Sequence, residues 1–213
     1  MKKTILAMAV AGLALLSATA QANVVAIDDF DHGDQTVTST MVGETASDTN
    51  SYRTLTTTLL SARPPIQSDA KVSDGRLNIS NGGGEDSEVT VQWTLAPNLL
   101  PTGATNVAFL FTIIESQTET SVDFYFGGSL LQSFAIAASP DLNRDVKFFA
   151  DLSMLNAGGE LKMVLNGPPS WDLDLDFVGL SYDPATNVPE PSTIALMGLG
   201  LLGLGAVARR RKS

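Results

Sequence analysis

The sequence predicts an all-β fold, an antiparallel two-sheet sandwich, for a body spanning residues 23–187 between two apolar ends. Three observations predict it. Apolar and polar residues alternate with a period of two through most of the body, turn-forming residues punctuate the runs at short intervals, and no stretch sustains a helical period. About ten short strands so spaced have to bury one face each, and two packed antiparallel sheets satisfy them together.

The first strand is read in "VVAIDDFDHG", which opens the body and ends in Asp-Asp-Phe. Residues 43–69 are rich in Thr and Ser and read as a long surface excursion, with one strand near Tyr52 to Leu60. Ser73-Asp74-Gly75 marks a turn before "LNI" at 77–79, and Asn81-Gly82-Gly83-Gly84 marks another after it. "EVTVQWTL" places Val89, Val91, Trp93 and Leu95 on one face and Glu88, Thr90, Gln92 and Thr94 on the other. Leu100-Pro101-Thr102-Gly103 is read as a loop between strands. "NVAFLFTII" at 106–114, "SVDFYF" at 121–126, "LLQSFAIA" at 130–137, "VKFF" at 146–149 and "LKMVL" at 161–165 supply the next strands, with turns at Gly127-Gly128 and Gly158-Gly159. Residues 151–157 are read as one or two turns of helix. After Gly167-Pro168-Pro169 the closing strand is "WDLDLDFVGLSY", with Asp172, Asp174 and Asp176 alternating against Trp171, Leu173, Leu175 and Phe177.

Charge divides the chain further. The whole protein of 213 residues carries a net charge of -10. Between residues 23 and 188, seven Lys and Arg stand against twenty-two Asp and Glu, a net charge of -15. The seven cations form no basic stripe, which sets nucleic-acid binding aside. Cysteine is absent, so disulfides, thiolate metal sites and a cysteine nucleophile are excluded with it.

Both ends read as addresses. "MKKTILAMAVAGLALLSATAQA" has two lysines, an apolar run and small residues at Ala20 and Ala22 in the A-x-A pattern of a cleaved signal peptide, residues 1–22, with a mature start at Asn23. At the other end, residues 188–213 read "VPEPSTIALMGLGLLGLGAVARRRKS". A helix over 192–208 is about 25 Å long against a hydrocarbon core of about 30 Å. Gly198, Gly200, Gly203 and Gly205 weaken it, so it reads as a transmembrane helix suited to a temporary handle. Arg209, Arg210, Arg211 and Lys212 prefer the cytoplasmic side and leave the acidic body external. Pro189 and Pro191 hold Glu190 in an extended segment at the membrane surface.

Pro189-Glu190-Pro191, the apolar helix and the terminal arginines resemble the PEP-CTERM sorting domain of exported proteins from Gram-negative bacteria that make extracellular polysaccharide. The resemblance implies recognition in the inner membrane by an exosortase, a multi-spanning cysteine transpeptidase. It implies processing near the tripeptide and delivery to the cell surface or the extracellular space. The first and last strands of the body are similar, over some 22 residues, to the terminal strands of jelly-roll carbohydrate-binding modules, where they lie side by side. That implies a jelly-roll-like topology and an association with sugars.

Candidate chemistry in the body is sparse. Three aspartates about 7 Å apart on one strand face repel one another, and two readings are open. One is a solvated acidic face. The other is a structural calcium ion held by Asp174 and Asp176 with Asp28 and Asp29 from the neighbouring terminal strand; no other cofactor is expected. Tyr52, Tyr125, Tyr182 and Trp171 are candidates for stacking on sugar rings, while Trp93 is assigned to the core. The single histidine, His32, falls in a turn among acids without a partner motif, so no catalytic residue is assigned and no enzymatic activity is expected. The function expected is that of an exported surface or matrix protein, structural or associated with polysaccharide. A carbohydrate-binding module with a defined glycan site and a secreted glycan-active enzyme are the alternatives.

Overall fold

The computed structural model describes residues 23–61 and 67–184. The signal peptide, the sorting tripeptide, the helix over 192–208 and the basic end lie outside the described residues. Among the described residues no helix is long and apolar enough to cross a membrane.

In chain order the strands are β1 (Asn23–Asp28), β2 (Gln35–Ser39), β3 (Thr45–Thr49), β4 (Thr54–Ser61), β5 (Ser68–Ser73), β6 (Arg76–Asn81) and β7 (Asp86–Leu95). They continue as β8 (Thr105–Ser116), β9 (Thr120–Phe126), β10 (Ser129–Ile136) and β11 (Arg144–Phe149). A short helix α1 (Leu152–Ala157) follows, then β12 (Gly159–Asn166) and β13 (Leu173–Asp183). Two antiparallel sheets result. The first has the order β11-β8-β13-β6-β5-β2, with β1 also paired to β13, and the second has the order β10-β9-β12-β7-β4-β3. The expected two-sheet sandwich is the observed fold, and its two terminal strands do lie side by side.

Local chemistry accounts for most elements. In β7, Val89, Val91 and Trp93 are buried while the intervening polar residues face outward. Two hairpins turn where the sequence marks them: Asp74 (φ 54) and Gly75 (φ 74) between β5 and β6, Gly127 (φ 54) and Gly128 (φ 82) between β9 and β10. Two successive positive φ values match the twist of the flanking strands. Helix α1 starts where the Asp151 carboxylate accepts a hydrogen bond from the backbone N–H of Ser153 at 2.8 Å.

The inner faces meet in a single core. Within it and at its edge, Phe109, Phe111 and Phe148 of the first sheet pack against Phe124 and Phe134 of the second, with ring centroids 5.1–6.1 Å apart. Aromatic pairs so placed contribute about 0.5–1.5 kcal/mol each beyond the area they bury.

Three expectations are corrected. The excursion at 43–69 also contains β3 and the start of β5, and β2 precedes it. Trp171 is not a surface residue: it is fully buried, donates from Nε1 to the Ser87 carbonyl at 2.9 Å, and packs so closely on Gly167 that a Cβ there would lie 2.6 Å from it. The alternation of β13 also breaks, because its register against β8 shifts between Leu175 and Phe177. Leu175 and Val178 both point to the core, and Phe177 turns outward. Its ring lies where Gly179 has no side chain, since a Cβ on Gly179 would meet Phe177 Cζ at 2.5 Å.

Candidate functional site

The four aspartates considered as calcium ligands are not gathered into one group. Asp28, the last residue of β1, turns into the sandwich and is only 6% exposed. Arg53 reaches it from the other sheet: Nε donates to Oδ2 at 2.5 Å and an Nη donates to Oδ1 at 2.7 Å. Trp93 Nε1 donates to Oδ2 at 2.7 Å, and the Phe30 N–H donates to Oδ1 at 2.9 Å. The counter-cation of Asp28 is thus a guanidinium. Asp29 is exposed and accepts from the Asp31 N–H, Asp174 accepts from the Asn78 amide, and Asp176 is exposed. Among the described residues no group of three or more His, Cys, Asp or Glu is arranged to hold a metal ion. The calcium shell is therefore corrected on its inner half: a carboxylate whose two oxygens already accept four hydrogen bonds has little left to offer a metal.

Asp172 and Asp174 do remain together on the outer face of the first sheet. They line a hollow of about 130 Å³ with Asn78, Ser80, Glu115 and Gln117. Asp172 accepts from the Asn81 N–H at 2.8 Å. Burial raises its pKa above the ordinary 3.8 and the negative charge of Asp174 raises it further, against the opposing effect of hydrogen bonds from Asn81 and Ser80. A raised carboxylate favours the folded state below its unfolded pKa, and that benefit is lost as pH rises through the folded value. Asp172→Asn keeps the acceptor oxygen and removes the charge. It is expected to raise Tm at pH 7, with the difference from the parent closing by about pH 3, where both side chains are neutral; paired thermal melts at the two pH values measure this.

The outer face of the second sheet is of another kind. Its six strands span about 24 Å at the usual strand spacing of about 4.8 Å. One row of directly paired residues runs Thr49, Thr54, Gln92, Lys162, Tyr125. The next runs Ser47, Thr56, Thr90, Val164, Asp123, Ser133. The hydroxyls are held by one another, with Thr49 to Thr54 and Thr45 to Thr58 at 3.0 Å. Gln92 Nε2 donates to Glu160 at 2.8 Å, and Lys162 Nζ lies 4.8 Å from the Tyr125 ring centroid. At one end the face opens into a hollow of about 390 Å³ lined by Glu119, Ser121, Ala135, Asn166, Gly167 and Pro168. This surface presents hydroxyls, the Gln92 amide and the Tyr125 ring, interspersed with the charged groups of Lys162, Asp123 and Glu160, across a broad and shallow area.

The stacking candidates do not converge there. Tyr125 lies on that face, half-buried, and Tyr182 is half-buried near the end of β13. Tyr52 is 52% exposed in the turn before β4, its ring centroid 5.8 Å from that of His32. His32 itself is exposed in the turn where it was expected. Sequence reasoning did not single out Gln92, Lys162 and Thr54 as a group. The outward positions of β7 were legible, but the register that sets them beside Lys162 and Thr54 is a matter of strand order.

Residues 187–212 match the PEP-CTERM protein-sorting motif. No curated protein matches the chain. Among solved structures, a family 35 carbohydrate binding module from Clostridium thermocellum is 7% identical, with a TM-score of 0.36 over 64% of this chain and 97% of that one. A family 11 carbohydrate-binding module from the same organism is 11% identical, with a TM-score of 0.36 over 78% and 98%. A Stig cyclase from Fischerella sp. is 15% identical, with a TM-score of 0.35 over 82% and 95%. Likeness at this level says nothing of ligand or activity, and the sandwich architecture rests on the strands themselves.

Proposed function

We propose, from the premise that a chain with a PEP-CTERM motif is an exported protein carrying a C-terminal membrane-anchoring signal, that this protein is held in the inner membrane only in transit. An exosortase processes it near Pro189-Glu190-Pro191 and it passes to the cell surface or the extracellular space. There its sandwich associates weakly with extracellular polysaccharide and acts by binding rather than by catalysis.

The observation that carries the binding part is the outer face of the second sheet. A polysaccharide offers many hydroxyls and weakly apolar ring faces, and it is met by arrays of hydrogen-bonding groups and an aromatic side chain. The rows through Gln92 and Thr90 supply such groups across the whole width of the sheet. The strong negative charge of the body suits a neutral glycan better than an anionic one.

The test is retention of the released protein on immobilised polysaccharide from its own host. Tyr125→Ala combined with Gln92→Ala is expected to lower retention several-fold while Tm stays within about 4 °C, since both residues are on the solvent side of the sheet. Undiminished retention would remove this face as the binding surface. No retention of the parent protein would remove the polysaccharide.

A further inference from the structure

Asn23 pairs with Tyr182 in the β1–β13 ladder, so the expected mature N-terminus and the departure of the chain toward its tail lie side by side at one end of the sandwich. Five residues, 184–188, separate Asp183 from Pro189. Fully extended, such a stretch covers at most about 20 Å. A body so tied cannot move freely: the end that bears Asp183 stays close to the plane in which the tail is anchored.

That end carries exposed apolar side chains, as the opposite end does with Met41, Val42 and Leu60, and only this end is tied to the tail. Phe149, Ala108, Ser181 and Val24 form one row across β11, β8, β13 and β1. Ala108 and Ser181 are small and nearly buried, whereas the outer two protrude, Phe149 being 83% exposed and Val24 51%. Beside Phe149 is a shallow hollow of about 180 Å³ that Asn106, Ala108, Lys147, Phe148 and Ser181 also line. In the next row Ala26 is exposed as well. On the second sheet Leu130, two residues past the Gly127-Gly128 turn at the same end, is exposed too.

We infer that the Phe149, Val24 and Ala26 patch, with Lys147 at its margin, is the surface that lies against the lipid bilayer while the tail is anchored. The inference rests on the reading of the tail as a membrane handle. A protruding phenylalanine and valine partition into the interfacial region of a bilayer, and a lysine beside them keeps its ammonium among the headgroups. Each contact is weak, but the short connection holds the patch at a high effective concentration near the membrane, where weak contacts suffice. A second copy is the poorer occupant, because two bodies of such negative charge repel. Once the tail is cut, the tether is gone and the patch separates from the membrane by itself. Orientation and release then follow from the same short segment.

The test uses the mature full chain, tail included, in vesicles of the zwitterionic lipids phosphatidylethanolamine and phosphatidylcholine. A photoreactive amino acid is placed at position 149, at position 24 or, at the opposite end, at position 41, where Met41 is also exposed. Lipid adducts at 149 and 24 are expected to exceed those at 41 by fivefold or more. Inserting thirty Gly and Ser residues after Pro184 is expected to bring labelling at 149 down to the level at 41. Equal labelling at all three positions, or protein adducts in place of lipid adducts at 149, overturns the inference. Carbonate extraction of the same vesicles separates the two layers of argument. A chain that is extracted refutes the anchored tail and this inference with it, whereas a chain that stays but is not labelled at 149 refutes the inference alone.

Discussion

Arg53→Met is expected to destabilise the protein by about 3–5 kcal/mol, the cost of leaving a buried charge without its partner. The Arg53 side chain is completely buried and the Asp28 side chain is 4% exposed. Beyond the two bonds to Asp28, the Arg53 Nη groups donate to the carbonyls of His32 and Gly33 at 2.8 and 2.9 Å, and to Gln35 Oε1 at 3.3 Å. The guanidinium also lies over the Phe30 ring, 5.3 Å from its centroid. One cation thus ties the β1–β2 connection of the first sheet to the start of β4 in the second. Its removal leaves the Asp28 carboxylate with only Trp93 and a backbone N–H in an apolar interior, where a lone charge is costly. At about 2–4 °C per kcal/mol for a domain of this size, the loss is a fall in Tm of roughly 6–20 °C. Arg53→Met with Asp28→Asn should recover a part of it, since the remaining side chain is neutral and still accepts from Trp93. Urea unfolding of the single and double variants measures both. A single variant within about 1 kcal/mol of the parent, or a double variant whose loss equals the sum of the two single losses, would contradict the account.

Deleting Arg209 to Lys212 is expected to reduce the processed, released protein by an order of magnitude or more, with the unprocessed chain accumulating in the inner membrane. On the proposed anchoring, the four cations oppose passage of the end through the bilayer and set its orientation. On that proposal, an end without them loses its fixed orientation, and Pro189-Glu190-Pro191 is no longer presented to the exosortase. Glu190→Ala leaves the position intact and removes the charged group between the prolines, so it is expected to block processing without altering membrane retention. Fractionation combined with intact mass measurement distinguishes the two variants. Released protein that still contains Arg209 to Arg211 would refute processing altogether.

Legibility in the sequence followed the range of the interactions concerned. The strand β7 could be read from Val89, Val91 and Trp93 because an alternating run declares its own buried face. Turns at Asp74-Gly75 and Gly127-Gly128 were equally plain, since a positive φ selects glycine, asparagine or aspartate locally. The strands β2, β3 and β5 were not plain. In β2 and β5 the inward residues Gln35, Ser39 and Ser68 are polar and leave only Val37, Ala70 and Val72 as apolar signal, and β3 buries no residue fully. The strand β5 was nonetheless implied by the turn at 74–75, because a two-residue hairpin before "LNI" requires a partner strand behind it.

The candidate surfaces divide in the same way. Outward Thr90 and Gln92 could be assigned to a face from β7 alone. Their assembly with Thr54 and Lys162 required the order β9-β12-β7-β4, which no single run specifies. Trp171 is a stacking candidate by residue type alone, whereas the alternation sets it on the side of Leu173 and Leu175; it stands before β13 begins, fully buried, with its ring against Gly167.

By itself the sequence determined the class of fold, the faces of its apolar strands, the acidity of its body and the sorting motif at its C-terminal end, because these depend on neighbours within a few residues. Only the tertiary structure decided which aspartate is buried, which arginine neutralises it and which end of the sandwich carries the tail. Asp28 and Arg53 are 25 positions apart and Asp28 and Trp93 are 65 apart. Charge pairing at such separations depends on how two sheets are laid together, and the packing of one face on another is a property of the whole chain.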